Sequence, residues 1–152
     1  TTLLSNPEGF SEVIEEFVNR YKDLKIDKIA AIESRGFIVA APLAYLLNVG
    51  LVLIRKPGKL PSKTIDQDYE LEYGTDKIEV HADAINKGDK VLIVDDLIAT
   101  GGTAGAAAKL IEISKGKIAG FIFVINLFDL GGYDNLIKKG HKVENLIDFP
   151  GH

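Results

Sequence analysis

Residues 91–105 read VLIVDDLIATGGTAG, and the rest of the chain is organised around this stretch. Four apolar residues, Val91 to Val94, run into adjacent carboxylates at Asp95 and Asp96, and a short loop then reaches Thr100, Gly101, Gly102 and Thr103. The pattern reads as a buried strand, an acidic turn and a cradle for an anion. AGAAAKLIEI follows at once and predicts an alanine-rich helix from Thr103 to about Ser114, lying close on a sheet and ending at Lys115, Gly116 and Lys117. The first amides of a helix lack intrahelical partners and sit at the positive end of its dipole, so residues 100–104 are a ready anion site. Glycine lets the chain approach such an anion closely. Two ionised carboxylates are acceptor-only groups, and side by side at a strand end they suit the vicinal hydroxyls of a ribose. Neither an acidic pair nor a glycine pair says much alone; their spacing between strand and helix carries the inference.

The same logic recurs upstream. Lys28 to Ile32 (KIAAI) predicts a short buried strand that ends in Glu33, Ser34, Arg35 and Gly36, and FIVAAPLAYLL after it has helical spacing despite Pro42. Ligands of α/β sheets gather at the carboxyl ends of strands, and Arg35 offers a planar fork of donors there. A simple Glu33–Arg35 pair across the turn is the plainer alternative. Gly50 to Ile54 predicts another strand, and Arg55, Lys56, Lys59 and Lys63 follow it with no acidic residue between them. In a chain of net charge −4 this is a local positive field. Residues 64–81 alternate with a period of two around YELEYG and predict a two-stranded flap, which as an isolated hairpin would be marginally stable and able to open and close. At the start, Asn6 and Pro7 cap a helix whose Phe10, Val13, Ile14, Phe17, Val18 and Tyr21 share one face. At the end, IAGFIFVINLF predicts a central strand, GGYDNLIKKG a short helix and KVENLIDF a last strand. Strands alternating with helices imply a mainly parallel α/β sheet flanked by helices, with ligand loops at one edge.

Composition narrows the function classes. The 152 residues, 46% hydrophobic, suit one domain with one core, and the acidic balance gives no support to a nucleic-acid partner. The chain has no cysteine, which excludes disulfides and thiolate zinc sites and fits a reducing compartment, so a cytoplasmic location is expected. No apolar run approaches the roughly 20 residues of a membrane span, and no membrane partner is expected. His81, His141 and His152 have no ligand spacing, so no metal site made by the protein itself is expected.

The motif at Val91–Gly105 resembles the 5-phosphoribosyl diphosphate (PRPP) site of type I phosphoribosyltransferases. DDLIATGGT, ESRGF, RKPGKLP, EYG, INLFDLGG and FPGH are together most similar to the bacterial adenine phosphoribosyltransferases, over essentially the whole chain. The resemblance implies a Rossmann-like, mainly parallel sheet with a flexible β-flap, in a single domain over residues 1–152 that lacks the family's N-terminal base-covering segment. It implies purine salvage from PRPP and adenine to AMP and diphosphate. Asp95 and Asp96 would take the ribose hydroxyls, and Ala99, Thr100, Gly101, Gly102 and Thr103 the 5′-phosphate. Glu33, Ser34, Arg35, Gly36, Arg55, Lys56 and Lys59 would form the diphosphate end, partly across the interface of a homodimer. Glu72 and Arg35 would be catalytic, Glu72 as acid–base group near the purine, and Tyr73 would help close a lid. Leu97 and Leu127 would wall the adenine, with a core-only role equally open. Magnesium would arrive largely on the oxygens of PRPP. The alternatives are another purine or orotate phosphoribosyltransferase and a non-catalytic PRPP-binding regulator on the same fold.

Overall fold

The computed structural model describes residues 2–70 and 75–151. A short helix, α1 (Thr2–Ser5), leads into α2 (Pro7–Tyr21). Asn6 caps α2 by accepting the N–H groups of Glu8 and Gly9, each at 3.1 Å, and Pro7 takes the first helical position where no N–H is needed. Then follow β1 (Lys28–Ile32), α3 (Arg35–Leu47), β2 (Gly50–Ile54) and an antiparallel hairpin of β3 (Thr64–Glu70) and β4 (Thr75–His81). The second half runs β5 (Lys90–Ile98), α4 (Gly102–Ile113), β6 (Lys117–Leu127), a single 3-10 turn, α5 (Gly132–Lys138) and β7 (Val143–Phe149).

Five strands form one parallel sheet in the order β2-β1-β5-β6-β7. From β1 the chain steps outward to β2, and later resumes at β5 on the opposite side of β1 before moving out through β6 and β7. The order therefore reverses between β1 and β5, and the carboxyl ends of those two strands frame a crevice. Alternate residues of each strand serve opposite faces. Ile29 and Ala31 of β1 join Leu92, Val94, Ile122 and Val124 beneath α2 and α3, where Phe17, Tyr21 and Leu43 are fully buried. Ala30, Ile32, Val91, Ile93, Phe121 and Phe123 face the other way, beneath α4 and the hairpin. Burial on both faces explains why these strands read as unbroken apolar runs.

The alternation expected over residues 64–81 forms the hairpin, but the hairpin does not stand alone. Tyr69, Ile78 and Val80 are buried in the α4 side of the core, and Arg55 and Glu79 exchange both main-chain hydrogen bonds, at 2.9 and 2.7 Å. Leu71, Glu72, Tyr73 and Gly74, which connect its two strands in the sequence, lie outside the described residues. A second difference concerns β5, which continues four residues beyond Val94 to Ile98. Asp95 and Asp96 therefore lie within the strand, not in a turn after it. The cause is β6, which keeps pairing past the acidic pair, with Asp95 opposite Phe123, Leu97 opposite Ile125 and Ile98 opposite Asn126. β6 is interior to the sheet as expected, though the middle position belongs to β5.

Candidate active site

Beyond the carboxyl ends of β1 and β5 lies a cavity of about 240 Å³. Its floor is the acidic pair. Asp95 Oδ1 accepts the Asp96 N–H at 2.8 Å, and Asp96 Oδ2 pairs with Arg35 Nε at 2.8 Å, so the first turn of α3 is tied across to β5. Gly36 makes this approach possible: a Cβ there would lie 3.0 Å from the Val94 carbonyl and 3.3 Å from Asp95 Oδ1. Burial pushes the Asp95 carboxyl up to about 8, the neighbouring Asp96 adds to the rise, and the Arg35 charge offsets only part of it. Near neutral pH the Asp95 carboxyl therefore retains its proton in the free protein.

The wall opposite β1 is the loop from Ala99 to Thr103. Gly101 precedes α4 at φ 88°, a left-handed conformation that favours glycine, and no side chain caps the helix. The first turn of α4 thus opens on the cavity without an acidic residue in it. The loop is held from behind by Gly132, whose N–H is donated to the Ala99 carbonyl at 3.0 Å. A Cβ at Gly132 would lie 2.5 Å from that carbonyl oxygen and 2.7 Å from the Gly101 nitrogen.

The third side is basic, and it is organised by Glu33. This carboxylate is only 8% exposed and accepts the Lys56 main-chain N–H and the Lys59 ammonium at 2.8 Å, with Arg55 Nε 3.6 Å away. Burial alone would raise its pKa, but the hydrogen bonds from Lys59 and Lys56 hold it below the usual carboxylate value. The peptide between Glu33 and Ser34 is cis. The Lys56 ammonium reaches across to the hairpin, where it is donated to Tyr69 Oη and to Asp76 Oδ2.

Glu33, Ser34, Arg35, Lys56, Asp95, Asp96, Leu97 and residues 99–103 line this one cavity, although they come from three separate parts of the sequence. Gly36, Arg55, Lys59 and Leu127 are not on its lining. Gly36 and Lys59 stand behind it, as described, and Arg55 lies over the Phe37 ring, 5.8 Å from its centre. Leu127 ends β6 two residues past the partner of Leu97, while Phe123, beside Asp95, reaches the cavity. Glu72 and Tyr73 lie outside the described residues. Ile32, Tyr69, Ile78, Ile98, Ala104 and Phe123 complete the apolar part of the lining and were not foreseen as side chains of the candidate site. The period of two around Tyr69 was visible, but which face of the hairpin it served was not. Nor does a continuous apolar run such as β6 reveal which of its faces meets a ligand.

Comparison with known proteins agrees with this geometry. The family model described as "Phosphoribosyl transferase domain" matches residues 1–147, and the chain belongs to that family. The relatives it matches include adenine phosphoribosyltransferases. The adenine phosphoribosyltransferase of Pelagibacter ubique is 62% identical over 152 residues, covering 100% of this chain and 87% of that protein. The crystal structure of the enzyme of that name from Thermoanaerobacter pseudethanolicus superposes with a TM-score of 0.92 at 48% identity, covering 97% of this chain and 84% of that one. The Saccharomyces cerevisiae enzyme, solved with an imino-altritol bisphosphate and adenine, superposes with a TM-score of 0.87 at 40% identity, covering 95% of this chain and 82% of its own.

Proposed function

We propose that this chain is an enzyme of purine salvage that transfers the phosphoribosyl group of PRPP to adenine, giving AMP and diphosphate. One observation carries the assignment: an acidic pair towards the carboxyl end of β5 shares a cavity with an uncapped helix start and two cations, Arg35 and Lys56. These are the complements of a ribose diol, a terminal phosphate and a diphosphate. Asp95 and Asp96 take the two ribose hydroxyls, and the proton that Asp95 retains in the free protein leaves as the diol donates to the pair. The loop from Ala99 to Thr103 holds the 5′-phosphate through the amides of α4 and the threonine hydroxyls. Ser34, Arg35 and Lys56 face the diphosphate from the cavity, where Glu33 on the same lining fixes the Lys56 main chain; Gly36, Arg55 and Lys59 support them from behind.

In the reaction the bond from the anomeric carbon to diphosphate breaks, its electron pair leaves with the diphosphate, and adenine N9 bonds to the carbon. Positive charge grows on the ribose ring as negative charge grows on the leaving group. The anionic pair beneath the ring and the cations at the leaving group match both changes, and alignment of the partners supplies the remainder. Glu72 is the candidate for accepting the N9 proton, with Tyr73 as part of the cover. Leu97, Ile32 and Phe123 offer an apolar surface to the base, and Leu127 stands further along the same sheet end.

Among the described residues no cluster of three or more metal-ligating side chains is present. The two aspartates fit a magnesium ion carried mainly on PRPP oxygens and water, and such an ion would neutralise diphosphate charge. A homodimer is supported by the apolar edge of the sheet, where Tyr45 is 82% exposed and Leu46, Leu51 and Leu53 are exposed beside it on α3 and β2. No described helix is long and apolar enough to cross a membrane, and the cysteine-free composition supports placing the reaction in the cytoplasm. Replacing Asp95 and Asp96 by Asn tests the site. PRPP affinity measured by calorimetry should fall at least 10-fold, since charge-assisted hydrogen bonds are worth about 1.5–3 kcal/mol each; unchanged affinity would remove the ribose contact.

A further inference from the structure

Lys56 joins three pieces of the fold around the cavity. Its main-chain N–H is donated to Glu33 in the turn after β1, and its ammonium to Tyr69 on β3 and Asp76 on β4. Register places these last two directly opposite one another, and Asp76 Oδ1 is itself fixed by the Lys77 N–H at 2.7 Å. Lys56 and Tyr69 both line the cavity. A lysine on its four-carbon stem normally samples many rotamers, and here two hairpin partners select one. An ammonium has three N–H donors. Among the described residues Asp76 and Tyr69 account for two of them, which leaves the third to serve an anion in the cavity without breaking the first two contacts.

Building on the diphosphate assignment above, we propose that Asp76 and Tyr69 are positioning residues that hold the Lys56 ammonium for diphosphate, so that ligand binding and seating of the hairpin stabilise each other. The cation then lies between the hairpin carboxylate and the ligand anion and bridges them. Such coupling is reciprocal: whatever the hairpin contributes to ligand affinity, the ligand returns to hairpin stability. Neither residue needs to touch the reacting atoms.

The test combines steady-state kinetics with hydrogen exchange of amides 64–70 and 75–81, with and without magnesium diphosphate. In the unaltered protein diphosphate should slow hairpin exchange several-fold. Asp76→Asn should raise the KM for PRPP about 10-fold, leave kcat within about twofold and abolish the slowing of exchange, while Asp76→Glu should restore most of both. Tyr69→Phe keeps the ring in the core and loses only the hydroxyl; it should raise KM about threefold and so provides a second probe if Asp76→Asn folds poorly. Asp76→Asn with an unaltered KM and unaltered protection would overturn the proposal. So would faster hairpin exchange on adding diphosphate to the unaltered protein, because ligand and carboxylate would then be competing for Lys56. An unaltered protein that neither binds diphosphate nor makes AMP would overturn the functional assignment itself, whereas AMP formation with an unresponsive hairpin overturns the coupling alone.

Discussion

Asp95 is the residue whose environment has the clearest consequence in solution. Its pKa lies near 8 in the folded chain and near the ordinary 3.9 when unfolded, chiefly because burial disfavours the charge. The folded state therefore holds the proton more tightly. The resulting stabilisation is fully present below about pH 4 and is lost as pH rises towards and through 8. Glu33, Asp76 and Asp89 are held below the usual carboxylate range by hydrogen bonds from Lys59, Lys56 and Lys28 respectively, so they act in the opposite sense and contribute stability that acidification removes. The comparison that isolates Asp95 is the melting temperature of Asp95→Asn against the unaltered protein. The difference in favour of the variant should grow by at least about 3 °C between pH 5 and pH 8, by the usual few degrees per kcal/mol; a difference independent of pH would contradict the burial argument. That two adjacent aspartates close an apolar run ahead of a glycine loop was legible in the sequence, and both line the candidate site. The proton that Asp95 retains was not legible, because its burial depends on how closely Gly36 brings α3 against β5.

Among the elements, the contact between α5 and the loop before α4 is the one on which the anion cradle rests. Gly132→Ala would place a methyl group against the Ala99 carbonyl and the Gly101 nitrogen, both backbone atoms that cannot rotate away. The loop must shift, and the substitution should raise the KM for PRPP at least 10-fold and cost about 1–3 kcal/mol in chemical denaturation. A variant with the original KM and stability would show that the loop keeps its shape without this support. Local pattern disclosed most elements: Asn6–Pro7 announced α2, and the five apolar-rich residues of KIAAI announced β1. The true end of β5 escaped because it is set by pairing with β6, a neighbour 27 residues further on from Lys90 to Lys117. The anchoring of the hairpin escaped for a similar reason. Ile78 and Val80 alternate as any half-buried strand would, and nothing local reveals that α4 and Arg55 receive them.

At the scale of the whole molecule, function follows from where the strand order turns back. β1 and β5 are neighbours in space but separated in sequence by α3, β2 and the hairpin, so their carboxyl ends bring Glu33–Arg35 and Asp95–Thr103 to one crevice. The basic segment after β2 enters the same crevice because β2 lies on the other side of β1. The quoted motifs made the site residues legible one group at a time; their convergence is a property of topology, which no single motif contains. On the proposed reading these described residues hold PRPP, and the apolar surface beside them meets the base. The decisive measurement is product formation by the purified chain given PRPP, magnesium and, separately, adenine, guanine, hypoxanthine and xanthine. AMP from adenine, and no nucleotide from the other bases, is the predicted result; GMP, IMP or XMP in place of AMP, or no transfer to any base, would contradict it.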